Sequence, residues 1–599
     1  MHAPDATTAR PARPADVLWL ALATAGIAVV AHVSAVAIRR HALHQFTWTT
    51  SDLPWMSLVG NTIVFLGMAV AVWVLGIVVA RLRRLSAVVA IFGCLAALCV
   101  LLLVTGIWQY ASLAFALGLA TVLSRAARDE PDSFLRYTRR VALATLAVGA
   151  AMAGRALQSD GSPPGSASGA SGMPNVLLII FDTVRASSTS LHGYSLRTTP
   201  VLDKLARESV VFDRAVATAP WTLPSHCSFF TGRDAQDTSC RWAAPLDSEG
   251  TTIAEVLRDR GYRTGAFVAN VFYTTRETGL ARGFDTWMDF RRTWKEVFCS
   301  TVIAQTGIVR NAVWGGSLRE RISGLVRLRL RGDPKPEHDR KRAEIVNADL
   351  LKWVDEDSGR PFFAFLNYFD AHDPYRAPPP YDRAFPTAPH SREQYDGAIA
   401  YMDAQLGKLL SELRRRGLLD RTIVVVASDH GEMFGEHELY GHGNSVYWPL
   451  LHVPLVLRYP AELASGVRVS TAVSLKDLPA TLLDLAGADD LRIGGVSLAN
   501  LVRDSSAVRP SAALSFVEQG RNWWANEPAR VDSLRSIVVG SEQYVHAYGG
   551  REQLFDLAKD VHGLRDVAAD HADRLPAMRE ALERAVARPT VARPPRAAQ

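Results

Sequence analysis

The sequence predicts an α/β domain that follows a bundle of membrane helices in the first 158 residues. The bundle is predicted from long apolar stretches before residue 158, because about 20 consecutive apolar residues suffice to cross a bilayer. From residue 174 onward, short apolar runs alternate with helical patterns, which is typical of a largely parallel sheet with helices on both faces. Two of those runs end in acidic residues, and ligand sites in such sheets form beyond the carboxyl ends of strands.

The apolar stretches of the first part have different lengths. Val17–Ile38 and Met56–Ala80 are each long enough for one span. Ser86–Leu123 is too long for one crossing, and Thr105 and Gly106 offer a place to turn, so we interpret it as two spans. Val141–Gly154 is shorter, and its length alone also allows an interfacial or buried helix.

The charge of the connecting segments indicates the orientation of the anchor. With five spans, the arginines at 10, 13, 81, 83, 84, 125, 128, 136, 139 and 140 lie on one side, and only Arg39 and Arg40 lie on the other. This asymmetry predicts a cytoplasmic N-terminus. Five spans would put the α/β domain on the periplasmic or extracellular side, and four would leave it in the cytoplasm. We favour five, since Arg155 can snorkel and so extend a short last span. Val17–Ile38 is too long for a cleaved signal peptide.

The composition divides the rest of the chain. Residues 159–173 are rich in Gly, Ser and Pro and are predicted to be a flexible linker after the anchor, residues 1–158. The α/β core is expected over 174–460 and a smaller C-terminal part over 461–587. The tail 588–599 is expected to be disordered.

Two apolar strands lead into acidic residues. The run from Pro174 stops at Asp182, and Thr422–Ala427 is followed by Asp429 and His430. Because the carboxyl ends of parallel strands share one edge of the sheet, these side chains are expected to meet and to hold a metal.

A hydroxyl residue precedes a predicted helix in the segment WTLPSHCSFFTGR, which begins at Trp221. Proline suits the first helical position, so Pro224 is expected to start the helix with Thr222 just upstream. Thr222 would then face unpaired backbone N–H groups, where anions bind.

These residues resemble the sulfatase family of the alkaline phosphatase superfamily. The resemblance implies an alkaline-phosphatase-like α/β/α sandwich with a small C-terminal subdomain, and it extends to about residue 570. It rests on the Thr222 segment and on four others: NYFDAHDPY from Asn367, YDGAIAYMDAQLGKLL from Tyr395, SDHGEMFGEHELYGHG from Ser428 and VSLKDLPATLLDLAGA from Val473.

The departures from the family pattern change the chemistry that is expected. Sulfatases carry a cysteine that is oxidised to formylglycine, whereas Thr222 stands here and cannot become an aldehyde hydrate. Thr183 replaces a second acid and His430 replaces an asparagine, so an imidazole enters an otherwise all-oxygen set. Such a set suits one divalent transition metal, zinc or manganese, better than calcium.

Together these departures resemble the membrane-anchored phosphoethanolamine transferases and lipoteichoic acid synthases, which have a threonine nucleophile, a five-helix anchor and an outward-facing domain. The resemblance implies that Asp182, Asp429, His430 and the Thr222 oxygen hold the metal. Thr222 would attack phosphorus and form a covalent intermediate.

The resemblance also suggests groups that contact the substrate. His372 and His442 are the candidates to bind phosphoryl oxygens and to protonate the leaving group. Arg185 and His226 are weaker candidates for the same anion pocket. Glu432, Glu436 and His437 are expected to line or brace the loop, and Cys227 to be a small buried helix residue.

Three functions remain open from the sequence: a metal-dependent phosphoryl-group hydrolase or transferase, a sulfuric ester hydrolase, and a degenerate enzyme that serves as a sensor or scaffold. The anchor favours a membrane lipid or a membrane-attached glycan as substrate. A net charge of +6 fits attraction to anionic membranes, and no nucleic-acid motif accompanies it.

Residues 317–332 could form a basic amphipathic interfacial helix or an ordinary surface helix. Cys240 and Cys299 could form a disulfide if the domain faces an oxidising compartment.

Overall fold

The computed structural model describes residues 10–43, 47, 49–104, 109–158, 172–242, 244–305, 340–357, 359–385, 392–503, 512–520 and 527–587. These residues form two compact units, one of residues 1–162 with 290–339 and one of residues 163–289 with 340–599. Four predicted features lie outside the described residues: the turn at 105–106, nearly all of the linker, the amphipathic helix at 317–332 and the tail.

The first unit contains five long helices. They are α1 (Pro14–His41), α2 (Leu53–Val78), α3 (Leu85–Leu101), α4 (Gln109–Asp129) and α5 (Pro131–Gln158), with a short 3-10 turn at Ala80–Arg83. By length and composition, α1, α2 and α4 could cross a membrane, and α3 is a shorter apolar helix. The stretch Val141–Gly154 lies within the longer and more polar α5, because the helix begins in the arginine-rich segment before it.

Helices α1 and α3 run in the same direction. At one end, the carbonyl oxygen of Arg10 accepts a hydrogen bond from the Leu85 amide at 3.0 Å. At the other end, Arg39 donates to the carbonyl oxygen of Leu103 at 2.9 Å.

Helix α5 also runs parallel to α1, since Gly26 faces Thr145 and Val29, one turn later, faces Gly149. The C-terminal ends of α1, α3 and α5 therefore lie at the same end of the bundle.

Two short helices from a later part of the chain also belong to this unit. These are α9 (Trp294–Cys299) and α10 (Val302–Gln305), which pack against α2 and α1. Arg292 forms an ion pair with Asp52 at 2.8 Å. Asn61 accepts a hydrogen bond from the Val302 amide at 3.3 Å. Because α2 begins at Leu53, the segment 290–305 lies at the end of the bundle where α1 finishes.

The second unit is built on a mixed sheet of eight strands in the order β12-β2-β11-β7-β1-β6-β4-β5. The strands are β1 (Asn175–Phe181), β2 (Val210–Phe212), β4 (Arg263–Val268), β5 (Thr286–Met288), β6 (Phe362–Tyr368), β7 (Thr422–Ala427), β11 (Leu455–Arg458) and β12 (Val467–Val469). All neighbours pair in parallel except β11, which is antiparallel to both β2 and β7. The predicted strand Thr422–Ala427 is confirmed as β7 at the predicted bounds.

The second unit also contains helices α6 (Pro200–Ala206), α7 (Thr222–Thr231), α8 (Ile253–Asp259), α11 (Ala343–Glu356), α12 (Arg392–Arg415), α13 (Trp448–Leu451), α14 (Leu478–Leu485), α15 (Asn500–Arg503), α16 (Pro528–Val531) and α17 (Leu575–Ala587). Strand side chains alternate between the two faces of the sheet. Leu366 of β6 belongs to the core that includes α11 and α12. Its neighbour Phe365 points to the opposite face, where its ring lies 4.9 Å from that of Phe230 of α7. Helix α7 is thus held against the sheet by aromatic packing.

The remaining strands form smaller sheets. β14 (Ala513–Val517), β15 (Leu534–Val539), β16 (Glu542–Ala547) and β17 (Glu552–Asp556) make an antiparallel sheet that packs against α17. The last two strands form a hairpin near the end of the domain. β3 (Ala215–Val216), β10 (His452–Val453) and β13 (Val473–Ser474) form a second small sheet, and β8 (Met433–Phe434) pairs with β9 (Tyr440–Gly441).

The cysteine prediction was wrong. Cys240 is bonded to Cys227, and Cys299 is buried and outside that bond. Cys299 lies on α9, which belongs to the first unit, whereas Cys227 lies on α7 in the same unit as Cys240. Cys227 is therefore more than a small buried residue, since it ties α7 to the loop after it.

Candidate active site

Asp182 and Asp429 meet because β1 and β7 are parallel neighbours. The register pairs Ile180 with Ala427, so both chains leave the sheet at the same level. The Thr183 amide then donates a hydrogen bond to Asp429 Oδ1 at 3.1 Å. Thr183 has a positive φ of 64°, an uncommon conformation for a β-branched residue that is often found at functional sites.

The structure brings Asp182, Asp429 and His430 together as a possible metal site. One donor atom from each lies within 4.8 Å of the others, and all three residues are buried. Asp182 Oδ1 and Asp429 Oδ2 are buried, and neither has a hydrogen-bond partner among the residues that the structure describes. Burial is the main reason that the pKa values of both carboxyls rise to about 7, and the Asp429 charge adds to the effect on Asp182. Two adjacent buried carboxylates with free oxygens fit a bound cation, which would supply the missing positive charge.

His430 is oriented as a ligand to such a cation. Its Nδ1 lies 2.9 Å from the carbonyl oxygen of Gly431, so that nitrogen carries the proton and donates it. The free lone pair on Nε2 then faces the cluster, 3.3 Å from Thr222 Oγ1. Burial lowers the pKa of His430 to about 4, which keeps the ring neutral near pH 7.

Thr222 lies at the beginning of α7 and is almost fully buried beside His430. The helix begins at Thr222 itself, two residues before the predicted start, and Pro224 occupies its third position. Proline is tolerated there because the first-turn N–H groups have no partner within the helix. Trp221 is the residue before the helix, and its side chain makes no capping hydrogen bond. The Thr222 hydroxyl is thus placed at the positive end of the helix dipole.

Two asparagines that the sequence analysis did not single out support this cluster. Asn270 and Asn367 both donate to Asp182 Oδ2, at 2.9 and 3.0 Å. Asn270 Nδ2 also lies 3.4 Å from Thr222 Oγ1. Asn367 lies at the carboxyl end of β6 and Asn270 two residues after β4, and this position near a strand end was the signal available in the sequence.

His372 and His442 form a second layer over the cluster. Their rings lie 4.9 Å apart, and the His442 ring lies 4.5 Å from that of His430. Glu432, which is fully buried, accepts a hydrogen bond from His442 Nδ1 at 3.0 Å. Burial opposes the charged form of His442, but the Glu432 carboxylate outweighs it and raises the pKa of His442. Desolvation and the neighbouring His442 hold the pKa of His372 well below its usual value.

Arg185 and His226 are placed close by, but each is engaged with the protein. Arg185 donates to the Glu436 carboxylate at 2.8 Å and to the Glu432 carbonyl oxygen at 3.0 Å. His226 is fully buried, and its Nδ1 donates to the Thr222 carbonyl oxygen at 2.8 Å. In this arrangement Arg185 braces the loop after β7.

The other two predicted loop residues also make contacts that fix it. Glu436 accepts from the Phe434 amide at 2.7 Å in addition to Arg185. His437 stacks on Tyr447 with ring centres 4.0 Å apart, and its Nε2 donates to the Gly563 carbonyl oxygen at 2.8 Å.

The sequence profile of the sulfatase family matches residues 174–488, more than half of the chain. The chain belongs to the sulfatase family. It is therefore an enzyme of the alkaline phosphatase superfamily, in a family that depends on metal, and the Asp182, Asp429 and His430 cluster is the corresponding candidate site.

Individual relatives and structures agree with this assignment. An arylsulfatase K from Xenopus laevis is 34% identical over 207 residues, which are 33% of this chain and only 38% of that protein. An ulvan-active sulfatase from Formosa agariphila is 26% identical over 65% of this chain and 76% of its own length. The crystal structure of a phosphonate monoester hydrolase from Agrobacterium radiobacter has a TM-score of 0.53 at 23% identity and covers 69% of this chain and 95% of its own, which shows the shared fold.

Proposed function

We propose that this protein is a membrane-anchored, metal-dependent sulfatase-family enzyme that cleaves or transfers a phosphoryl-type group through a covalent intermediate on Thr222. The observation that carries the proposal is the position of the Thr222 hydroxyl. It lies 3.3 Å from His430 Nε2 at the start of α7, beside two buried carboxylates with free oxygens. A hydroxyl in this environment is a nucleophile, and no sulfur atom is available for oxidation to formylglycine.

Thr222 Oγ1 loses its proton to water and attacks the phosphorus atom, so that a new oxygen–phosphorus bond forms. The bond to the leaving alcohol breaks on the opposite side, and the alcohol oxygen takes a proton from His442. Water or an acceptor alcohol then releases the group from threonine. A divalent cation held by Asp182, Asp429 and His430 would supply the positive charge that stabilises the Thr222 alkoxide. The donor set of two carboxylates, one imidazole and a hydroxyl favours zinc or manganese over calcium.

The second layer supplies the remaining proton transfer and charge stabilisation. The Glu432 carboxylate accepts a hydrogen bond from His442 Nδ1, and this contact orients the ring so that the Nε2–H donates to the leaving oxygen. His372 is positioned to bind a non-bridging oxygen of the transition state. Asn270 donates toward Thr222 Oγ1 and steadies the nucleophile.

A sulfuric ester hydrolase is the second candidate, and it is favoured by the relatives named as sulfatases. The phosphonate monoester hydrolase with the same fold favours phosphorus chemistry instead. Sulfate esters and phosphorus esters are similar in shape, so the shape of the site does not separate the two candidate functions. The reaction of Thr222 with each kind of ester separates them. A degenerate sensor is disfavoured because Thr222 lies beside the three side chains that could hold a cation.

The proposed location is the cell membrane, as a multi-pass protein with the catalytic unit on the periplasmic or extracellular side. The C-terminus of α5 lies at the same end of the bundle as that of α1, which supports an odd number of crossings. A disulfide between Cys227 and Cys240 supports an oxidising compartment. A membrane lipid head group or a membrane-attached glycan is the substrate class that suits such an anchor.

The test uses the purified full chain, loaded with manganese or zinc, and 4-nitrophenyl esters of phosphate, phenylphosphonate, alkyl phosphate and sulfate. We expect turnover of a phosphorus ester and a mass increase on a Thr222 peptide after acid quench. Thr222→Ala should lower kcat by at least about a thousandfold while the fold is retained. Turnover of the sulfate ester alone would favour the second candidate, and an unchanged kcat in Thr222→Ala would reject both.

A further inference from the structure

Arg340 lies at the edge of the second layer, where the chain returns to the catalytic unit. Its guanidinium group stacks over the ring of Phe369 at 4.6 Å. The Phe369 ring lies 4.4 Å from that of His372, so Arg340 is one side chain removed from a proposed substrate-binding residue.

Most N–H donors of the Arg340 guanidinium group have no hydrogen-bond partner among the described residues. Among the described residues, one hydrogen bond to it is seen, from Nη2 to the Asp373 carbonyl oxygen at 2.7 Å. A guanidinium group has five N–H donors, and its planar fork matches the oxygens of a tetrahedral anion. Arg340 is half-buried, so its charge is only partly screened by water.

The charge of Arg340 reaches the cluster. Asp182 is among the carboxylates that act on it electrostatically, together with Asp373 and Asp370, and Arg340 in turn disfavours the protonated form of His372. Arg185, the arginine singled out from the sequence, is already paired with Glu436. In the part of the chain that the structure describes, Arg340 therefore has more N–H donors left for an incoming anionic ester than Arg185 has.

We propose that Arg340 is a substrate-positioning residue that binds a non-bridging oxygen of the anionic ester beside His372. The inference rests on the proposed function and deepens it, because it assigns the group that selects a tetrahedral anion. Nothing in the sequence pattern indicated it, since Arg340 lies just before α11 and outside the segments that resemble the family.

The experiment compares Arg340→Gln, Arg340→Lys and the matched control Arg383→Gln in the full, metal-loaded chain. Arg383 is an exposed arginine whose side chain is 90% accessible, and it lies outside the site. The readouts are KM and kcat for the best 4-nitrophenyl ester, and the inhibition constants of inorganic phosphate and sulfate.

We expect Arg340→Gln to raise KM and the inhibition constant of the matching anion together by about 10- to 100-fold, the size expected when a hydrogen bond to a charged group is lost. kcat should change less, Arg340→Lys should recover part of the loss, and Arg383→Gln should behave as wild type. Unchanged KM and inhibition constants in Arg340→Gln, with wild-type turnover intact, would overturn the inference and leave the proposed function standing.

A structural role would give a different pattern. Arg340 would then only hold the loop at Asp373. Both substitutions would lower the melting temperature and kcat, and the inhibition constants of the anions would show no selective change. That pattern would also overturn the inference. If the wild-type chain turns over none of the esters, the proposed function fails. Calorimetric binding of inorganic phosphate and sulfate to wild type and Arg340→Gln then decides the inference, since equal affinities would reject it.

Discussion

Gly60 of α2 lies directly against the backbone of Val297. A Cβ atom added to Gly60 would lie 2.6 Å from the Val297 carbonyl oxygen and 2.7 Å from a methyl group of Thr301. The absence of a side chain at Gly60 therefore allows the segment 290–305 to pack on the bundle. Small residues allow the same close approach between helices in membranes.

The first prediction concerns this contact. Gly60→Ala should loosen α9 and α10 from α2, with a cost of about 1 to 3 kcal/mol from overpacking. Gly67→Ala on the same helix is the matched control, because its Cβ would meet no atom within 4 Å. Hydrogen exchange of residues 294–305 in the full chain in detergent measures the effect. Equal protection in the two variants would show that this contact does not hold the segment.

The strands and the candidate metal-binding residues Asp182, Asp429 and His430 were predictable because their sequence signals are local. β7 is an almost entirely apolar run, and the residues after β1 and β7 carry the acids. Asn270 was missed because a single asparagine after a strand usually makes a turn, and only the fold brings it to Thr222. The Cys227–Cys240 bond was missed because the sequence does not show that Cys299 belongs to a different compact unit.

The second prediction uses the two asparagines to separate metal binding from nucleophile positioning. Asn270→Ala and Asn367→Ala each remove one hydrogen bond to Asp182, so both should weaken metal binding by about 10- to 100-fold. Only Asn270 also reaches Thr222. At saturating manganese, kcat should therefore fall in Asn270→Ala and stay near wild type in Asn367→Ala. Equal kcat values in the two variants would deny Asn270 a role at the nucleophile.

The third prediction concerns the pH dependence of metal binding. Burial raises the pKa of Asp182 and Asp429 to about 7 in the metal-free chain, whereas an exposed carboxyl titrates near 3.8. Below pH 7 the pair holds protons that a cation must displace, so affinity should fall as pH falls through 7. His430 is neutral throughout this range, since its pKa is lowered to about 4.

Calorimetry in buffers of different ionisation enthalpy measures the protons released. We expect release approaching two protons per ion at pH 5.5 and close to none at pH 8.5. Asp182→Asn removes one titrating group and should reduce the release at pH 5.5. Equal release at the two pH values would contradict the raised pKa values.

The fourth prediction links the disulfide to the side of the membrane on which the catalytic unit lies. Cys227 and Cys240 are 13 residues apart, and closing a loop of this size stabilises a fold by about 3 kcal/mol. The bond forms in an oxidising compartment and is rare in the cytosol. The test denatures native membranes, alkylates them without prior reduction and identifies the labelled peptides by mass spectrometry. The label should therefore be found on Cys94, Cys99 and Cys299, and Cys227 and Cys240 should stay unlabelled.

Stability gives an independent readout of the same bond. The double variant with Cys227→Ser and Cys240→Ser should melt at a lower temperature, and reducing agent should no longer affect it. Cys94→Ser, which removes a free thiol in α3, should keep the sensitivity to reducing agent. Because Cys227 lies on the helix that begins at Thr222, the double variant should also lose activity at a lower temperature than it unfolds. Free thiols at Cys227 and Cys240 in native membranes would instead favour a cytoplasmic catalytic unit and the four-span anchor.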